Sequence, residues 1–135
     1  MLLLGLVGCQ PQIGDSCSNP GDCSANGVRV CDLQQPGGYC TIQSCDPDTC
    51  PSSSICVEWR YQPSRTSETW CMAECGSDSD CRSAYTCVRA EQIGENGLVG
   101  EGEAVSDAER VARVIDVDID LSRAKFCVAN SSSTN

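Results

Sequence analysis

Twelve of the 13 Cys in this 135-residue chain fall into three successive quartets, and their spacing limits the fold more than any other feature. The quartets are Cys17, Cys23, Cys31, Cys40, then Cys45, Cys50, Cys56, Cys71, then Cys75, Cys81, Cys87, Cys127. Within each, the first gap is four or five residues and the second is five to seven. Only the third gap varies widely, at 8, 14 and 39 residues. The Cys content sits at roughly the 8–10% level that marks disulfide scaffolds. The first two quartets span 24 and 27 residues, below the ~40 residues at which a core alone can hold a domain. Covalent bridges must do what so little apolar material cannot.

Each fourth Cys follows an aromatic residue (Tyr39, Trp70, Phe126), and each third Cys lies in a β-type run, at 28–33, 55–59 and 85–88. Short runs of this kind bounded by turn residues read as hairpin arms. Each module is therefore expected to be a hairpin on its third and fourth Cys, with the first two fastening the preceding loop to it. Twelve Cys allow on the order of ten thousand pairings, and about 27 if pairing stays within modules. Spacing alone does not choose among these. First-to-third and second-to-fourth is the favoured order, because a third-to-fourth bridge would join arms already held by hydrogen bonds and leave the loop free. Zinc is the competing use of clustered Cys, but it favours C-x2-4-C pairs, often with His. This chain has no His, and its close Cys pairs are mostly farther apart.

The pattern resembles disulfide-directed hairpin modules. The step Cys75-Gly-Ser-Asp-Ser-Asp-Cys81 resembles the acidic C-x5-C step of whey-acidic-protein and Dickkopf-type modules, although the adjacent Cys pair of the former is absent. The fold class expected is small and disulfide-rich, mainly β-hairpin and loop, in three tandem four-Cys modules at 17–42, 43–73 and 74–129.

The third module carries a long insert, 88–126, and a structureless loop of that length is uncommon. Residues 94–102 hold four Gly and read as flexible. Ser106-Asp107-Ala108-Glu109 is a capping-box pattern that predicts a short helix near 107–113. The alternation from Ile115 to Leu121 predicts a strand with one apolar face and one Asp face. Asp116, Asp118 and Asp120 are a weak metal candidate. An EF-hand is excluded, since Leu121 and Cys127 stand where Gly and Glu are required. A solvated acidic face is the commoner meaning, and neither metal nor cofactor is expected.

At the other end, Leu6-Val7-Gly8-Cys9 resembles the lipobox of bacterial lipoproteins. The resemblance implies cleavage before Cys9 and acylation of its thiol and amine. Residues 1–8 would be the end of a signal peptide whose start lies upstream, and residues 9–16 a lipidated tether. The apolar run is far too short to span a bilayer. Parity agrees, since an odd Cys in an exported chain needs its own explanation and lipidation of Cys9 leaves 12. Gln10, where an Asp would favour inner-membrane retention, points by the same resemblance to the outer membrane, facing periplasm or cell surface. The partner so implied is the lipid bilayer, reached through acylated Cys9.

No enzyme is expected. The chain lacks His for a triad and offers no phosphate-binding Gly loop leading into a helix, and pairing leaves no thiol as nucleophile. Nucleic acid is disfavoured by a net charge of -10 with no basic patch in either half. A structural or binding module of the envelope with a protein or glycan partner is the first expectation, and a protease-inhibitor-like or toxin-like module the alternative. Trp59, Arg60, Tyr61 and Arg65 are the contact candidates, because Trp, Tyr and Arg dominate binding hot spots. Trp70, equivalent to Tyr39 and Phe126, is assigned to packing. Residues 130–135 read as a disordered tail.

Overall fold

The computed structural model describes residues 10–61 and 66–130. Its strands are β1 (Val30–Asp32), β2 (Tyr39–Thr41), β3 (Ser54–Tyr61), β4 (Thr66–Ala73), β5 (Tyr85–Val88), β6 (Ile93–Gly94), β7 (Gly97–Leu98), β8 (Ala112–Val114) and β9 (Phe126–Ala129). Three antiparallel hairpins repeat along the chain: β1 with β2, β3 with β4, and β5 with β9. In each, the third and fourth Cys of a module are direct cross-strand partners, as Cys31 with Cys40, Cys56 with Cys71, and Cys87 with Cys127. Directly opposed residues leave the same face of a sheet, so every hairpin has one face carrying two sulfurs.

Those sulfurs do not bond each other. The bridges are Cys17–Cys31, Cys23–Cys40, Cys45–Cys56, Cys50–Cys71, Cys75–Cys87 and Cys81–Cys127. Each module thus pairs first with third and second with fourth, and the loop bearing the first two Cys is stapled across the hairpin face. The loop shapes itself with a short polar side chain. Asp22 Oδ2 accepts from the backbone N–H of Ser18 (2.8 Å) and Asn19 (3.2 Å). Asp80 Oδ2 repeats this on Gly76 (2.8 Å) and Ser77 (3.1 Å), and these two N–H groups hold its carboxyl below the usual aspartate range. In the shorter second loop Thr49 takes the part, its Oγ1 accepting from Asp46 N–H at 3.0 Å.

The aromatic residue before each fourth Cys points to the opposite face, and there the modules meet. Phe126 and Tyr39 are 0% and 2% exposed, in a cluster with Ile13, Ile55, Val57, Met72 and Tyr85. The Tyr39 hydroxyl accepts from Ala73 N–H at 2.8 Å, and its ring lies 5.6 Å from that of Tyr85. Arg82 donates to the carbonyls of Gly14 (2.9 Å) and Gly38, with its guanidinium 4.5 Å from the centroid of the Tyr85 ring. Three modules too small for cores of their own therefore share one. Residues 11–15 belong to it too: Ile13 is buried, Gly14 N–H donates to the Cys40 carbonyl (2.8 Å), and the Pro11 carbonyl accepts from Arg29.

The insert departs from three expectations. No helix forms near 107–113. The Ser106 hydroxyl does bond Glu109 (2.7 Å), but this closes a single turn. The next residues, Val111-Ala-Arg-Val-Ile115, are mostly β-branched, and β8 pairs with β3 through Val57↔Val114, Glu58↔Arg113 and Trp59↔Ala112. Sheet pairing and burial of Ala112 override the local helix signal.

The stretch 94–102 is structured rather than open, since β6 and β7 pair around Glu95 and Asn96, with Gly97 supplying the required positive φ of 103°. The alternating run after Ile115 is no strand. Val117 is 74% exposed while Asp116 is buried, the reverse of an apolar-in strand, because each Asp116 oxygen takes a backbone N–H: Asp48 (2.7 Å) and Cys56 (2.9 Å). Asp48 answers by accepting from Val117 N–H at 3.1 Å. This two-way clasp ties 116–117 to Asp48 and to the Cys56 amide of β3 in place of further strand pairing.

Candidate binding groove

Strand alternation sorts the β3–β4 hairpin into two faces. Cys56, Glu58 and Arg60 lie opposite Cys71, Thr69 and Ser67, all on the bridged face. Ile55, Val57 and Trp59 lie opposite Met72, Trp70 and Glu68 on the other. The second face is only partly filled by the shared core. Beyond it opens a groove of about 610 Å³ between this hairpin and the first one, within the roughly 300–1,000 Å³ of small-molecule sites.

Its floor is Tyr39, Thr41, Met72 and Val128, and both Trp of the chain line it. Trp59 is held edge-on against Phe126, ring centroids 6.0 Å apart at 87°. The Trp70 indole N–H donates to Glu68 at 3.2 Å. Around the rim stand Gln34, Gln35 and Gln43, with Asp32 and Glu68 as the acidic members and no Lys or Arg. Asp32 is partly occupied, accepting from Gln34 N–H at 3.0 Å. Thr41 is fully engaged with the Cys71 carbonyl at 2.7 Å. Burial pushes the Tyr39 hydroxyl well above the usual tyrosine range, opposed first by the Ala73 N–H and then by Arg82, and raises the Tyr85 hydroxyl against the opposing charge of Arg82. Tyr39 is therefore a neutral framework group.

The contact candidates divide accordingly. Trp59 lines the groove, whereas Arg60 lies on the bridged face, where its Nε meets Glu58 at 3.1 Å beside Arg113 at 3.3 Å. Exposed pairs of this kind contribute about 0–1 kcal/mol. The Tyr61 backbone ends β3; its side chain and Arg65 lie outside the described residues, as does Cys9. Trp70, assigned to packing with Tyr39 and Phe126, does pack against the shared core and, only partly buried, also forms part of the groove wall. Parity places both Trp on the face away from the bridges, the face that Tyr39 and Phe126 share: a residue adjacent to the fourth Cys points there, as does one three residues past the third.

Asp116, Asp118 and Asp120 do not converge. Asp116 is turned inward, while Asp120 bonds Ser122 and Arg123. The only ligand-type clusters among the described residues are Cys sulfurs within 4.8 Å of one another. They belong to residues that are disulfide-bonded, and a disulfide lacks the thiolate a metal needs. No described helix is long and apolar enough to cross a membrane. No family profile, curated protein or solved structure matches this chain.

Proposed function

We propose that this chain is an exported, lipid-anchored binding module of a bacterial cell envelope, and that the groove lined by Trp59 and Trp70 is where it recognises its partner. The observation that carries the reading is the concentration of both Trp on the unbridged face of one hairpin, in a concavity whose rim is polar. Ligand sites are typically apolar hollows with a few placed polar groups. The six bridges support an oxidising compartment, and the lipobox-like Leu6-Val7-Gly8-Cys9 supports the anchor. Two or more acyl chains give stable attachment where one would be marginal. The chain joins the fold at Pro11, so the domain would ride directly on the headgroups of an outer membrane.

Binding is favoured over catalysis by the state of the groove's polar groups. Thr41 is tied to a carbonyl, Tyr39 is a buried neutral hydroxyl, and Glu68 is bonded by an indole. None is poised as nucleophile or base. The inhibitor-like alternative is disfavoured, because an inhibitor needs a rigid loop clamped by bridges, and between Cys56 and Cys71 the described residues are paired strand.

The test is expression of the gene, with its upstream sequence, in a host that processes lipoproteins. Intact mass is expected to show cleavage before Cys9, an acyl increment and the loss of 12 hydrogens, with Cys9→Ser releasing the protein from membranes. A soluble, unmodified wild-type protein would refute the anchor.

A further inference from the structure

We infer that the groove takes an uncharged oligosaccharide, pyranose faces lying on the Trp59 and Trp70 indoles and hydroxyls bonding the carboxamides of Gln34, Gln35 and Gln43. This rests on the reading of the groove as the recognition site and names its ligand class. Three observations lead there.

The first is charge. The lining contains two carboxylates and no cation, in a chain of net charge -10, so an anionic ligand would be repelled on approach. The second is the state of the rim. Both carboxylates already accept from the protein, through Gln34 N–H and the Trp70 indole. The side chains of Gln34, Gln35 and Gln43 have no such partner, and each carboxamide offers two donors and an acceptor. Neutral donors beside acceptors match vicinal hydroxyls, which need both at once. Apolar C–H faces of a sugar ring match the parts of the two partly buried indoles that line the groove, flat surfaces that favour contact at low entropic cost.

The third is the backbone. A peptide commonly binds by adding a strand to an open sheet edge, and beside this groove the edges of β2 and of β4 at 69–71 are occupied. Segment 42–44 covers β4, with Cys71 N–H donating to Ile42 at 3.0 Å and Ser44 N–H to Thr69 at 2.7 Å. Segment 14–15 covers β2 in the same way, through Gly14 to Cys40 and Cys40 to Asp15 at 2.8 and 2.9 Å. Along these stretches the groove presents side chains and not main chain, which suits a sugar and narrows the usual hold of a peptide.

Because both Trp line the groove, intrinsic fluorescence reads the site directly. The Cys9→Ser chain is titrated with cello-, chito-, manno- and malto-hexaose, with oligogalacturonate as the acidic sugar and an Arg-rich octapeptide as the cationic probe. At least one neutral hexaose is expected to give a saturable shift, and oligogalacturonate none. Trp70→Ala is expected to weaken binding about tenfold. The rim variants Gln34→Ala and Gln43→Ala, both at exposed positions, are expected to weaken it by about threefold each. Arg113→Ala on the opposite face should leave it unchanged. No saturable response to any neutral hexaose overturns the inference. If the octapeptide alone binds, and does so in a Trp70-dependent way, the ligand class is wrong while the groove stands as the recognition site. If rim and Trp variants bind a hexaose as the parent does, the sugar sits elsewhere and both readings fall.

Discussion

The two faces of the β3–β4 hairpin are built from the same sixteen paired positions and do opposite work. One face holds Cys56 and Cys71, each stapled to a different Cys of the preceding loop. Polar groups beside them are drawn into the fold: the Thr69 hydroxyl donates to the Cys45 carbonyl at 2.8 Å, and Cys56 N–H to Asp116. The other face runs from the buried Ile55 and Val57 to the half-open Trp59 and Trp70, where free carboxamides gather. A two-residue period lets one ladder separate what holds the molecule from what it presents. Covalent stability on one side makes it possible to leave the two Trp only partly buried on the other.

Disturbing the bridged face should have the largest consequences. Full reduction is expected to unfold the chain, seen as loss of near-UV and β-type far-UV dichroism, while a chelator should have no effect. Among single bridges, the loss should follow loop length. Replacing Cys81 and Cys127, 46 residues apart, with Ser is expected to cost about 4 kcal/mol, against about 3 kcal/mol for Cys45 and Cys56, 11 apart. Denaturant midpoints at constant slope would show the order, and a reversed order would mean that the chain-entropy account fails here.

Next comes the clasp that brings the insert to this face. Asp116→Ala leaves the amides of Cys56 and Asp48 without acceptors and is expected to cost about 2–3 kcal/mol. Asp116→Asn, which keeps one carbonyl, should cost less. A smaller effect is expected from pH. Burial raises the Tyr39 hydroxyl above its ordinary 10.0, so the folded state resists ionisation that the unfolded chain accepts. Its contribution is whole below about pH 10 and is lost as pH rises further. Tyr39→Phe should flatten that alkaline decline while lowering neutral stability by about 1 kcal/mol through the lost Ala73 bond. On the open face, Gln43→Ala is expected to change stability by no more than about 0.5 kcal/mol, its effect being confined to ligand affinity.

Much of this division was legible in the sequence. The Cys spacing pointed to three hairpins, because the third and fourth Cys of each quartet sit in β-type runs, and stapling a loop to a hairpin needs each of them to bond outside it. What it left hidden was tertiary. The capping box at Ser106 is real, yet one turn is all it forms, because Val111 to Ile115 gain more by joining β3. The alternation of Ile115 to Leu121 indicated a strand, but two backbone amides 60 and 68 residues away claim Asp116. The pairing of Arg60 with the contact aromatics followed residue type and overlooked parity, which places it beside the bridges. Gln34, Gln35 and Gln43 carried no signal at all, since only the docking of the first hairpin on the second brings them to the Trp pair.

The separation of faces depends on Cys56 and Cys71 each reaching into the loop and not to each other. Proteolysis of the unreduced protein followed by mass spectrometry of linked fragments tests this directly. The account predicts fragments joining Cys45 to Cys56 and Cys50 to Cys71, with the same order in the flanking modules and no free thiol among the twelve. A fragment joining Cys56 to Cys71 would contradict it.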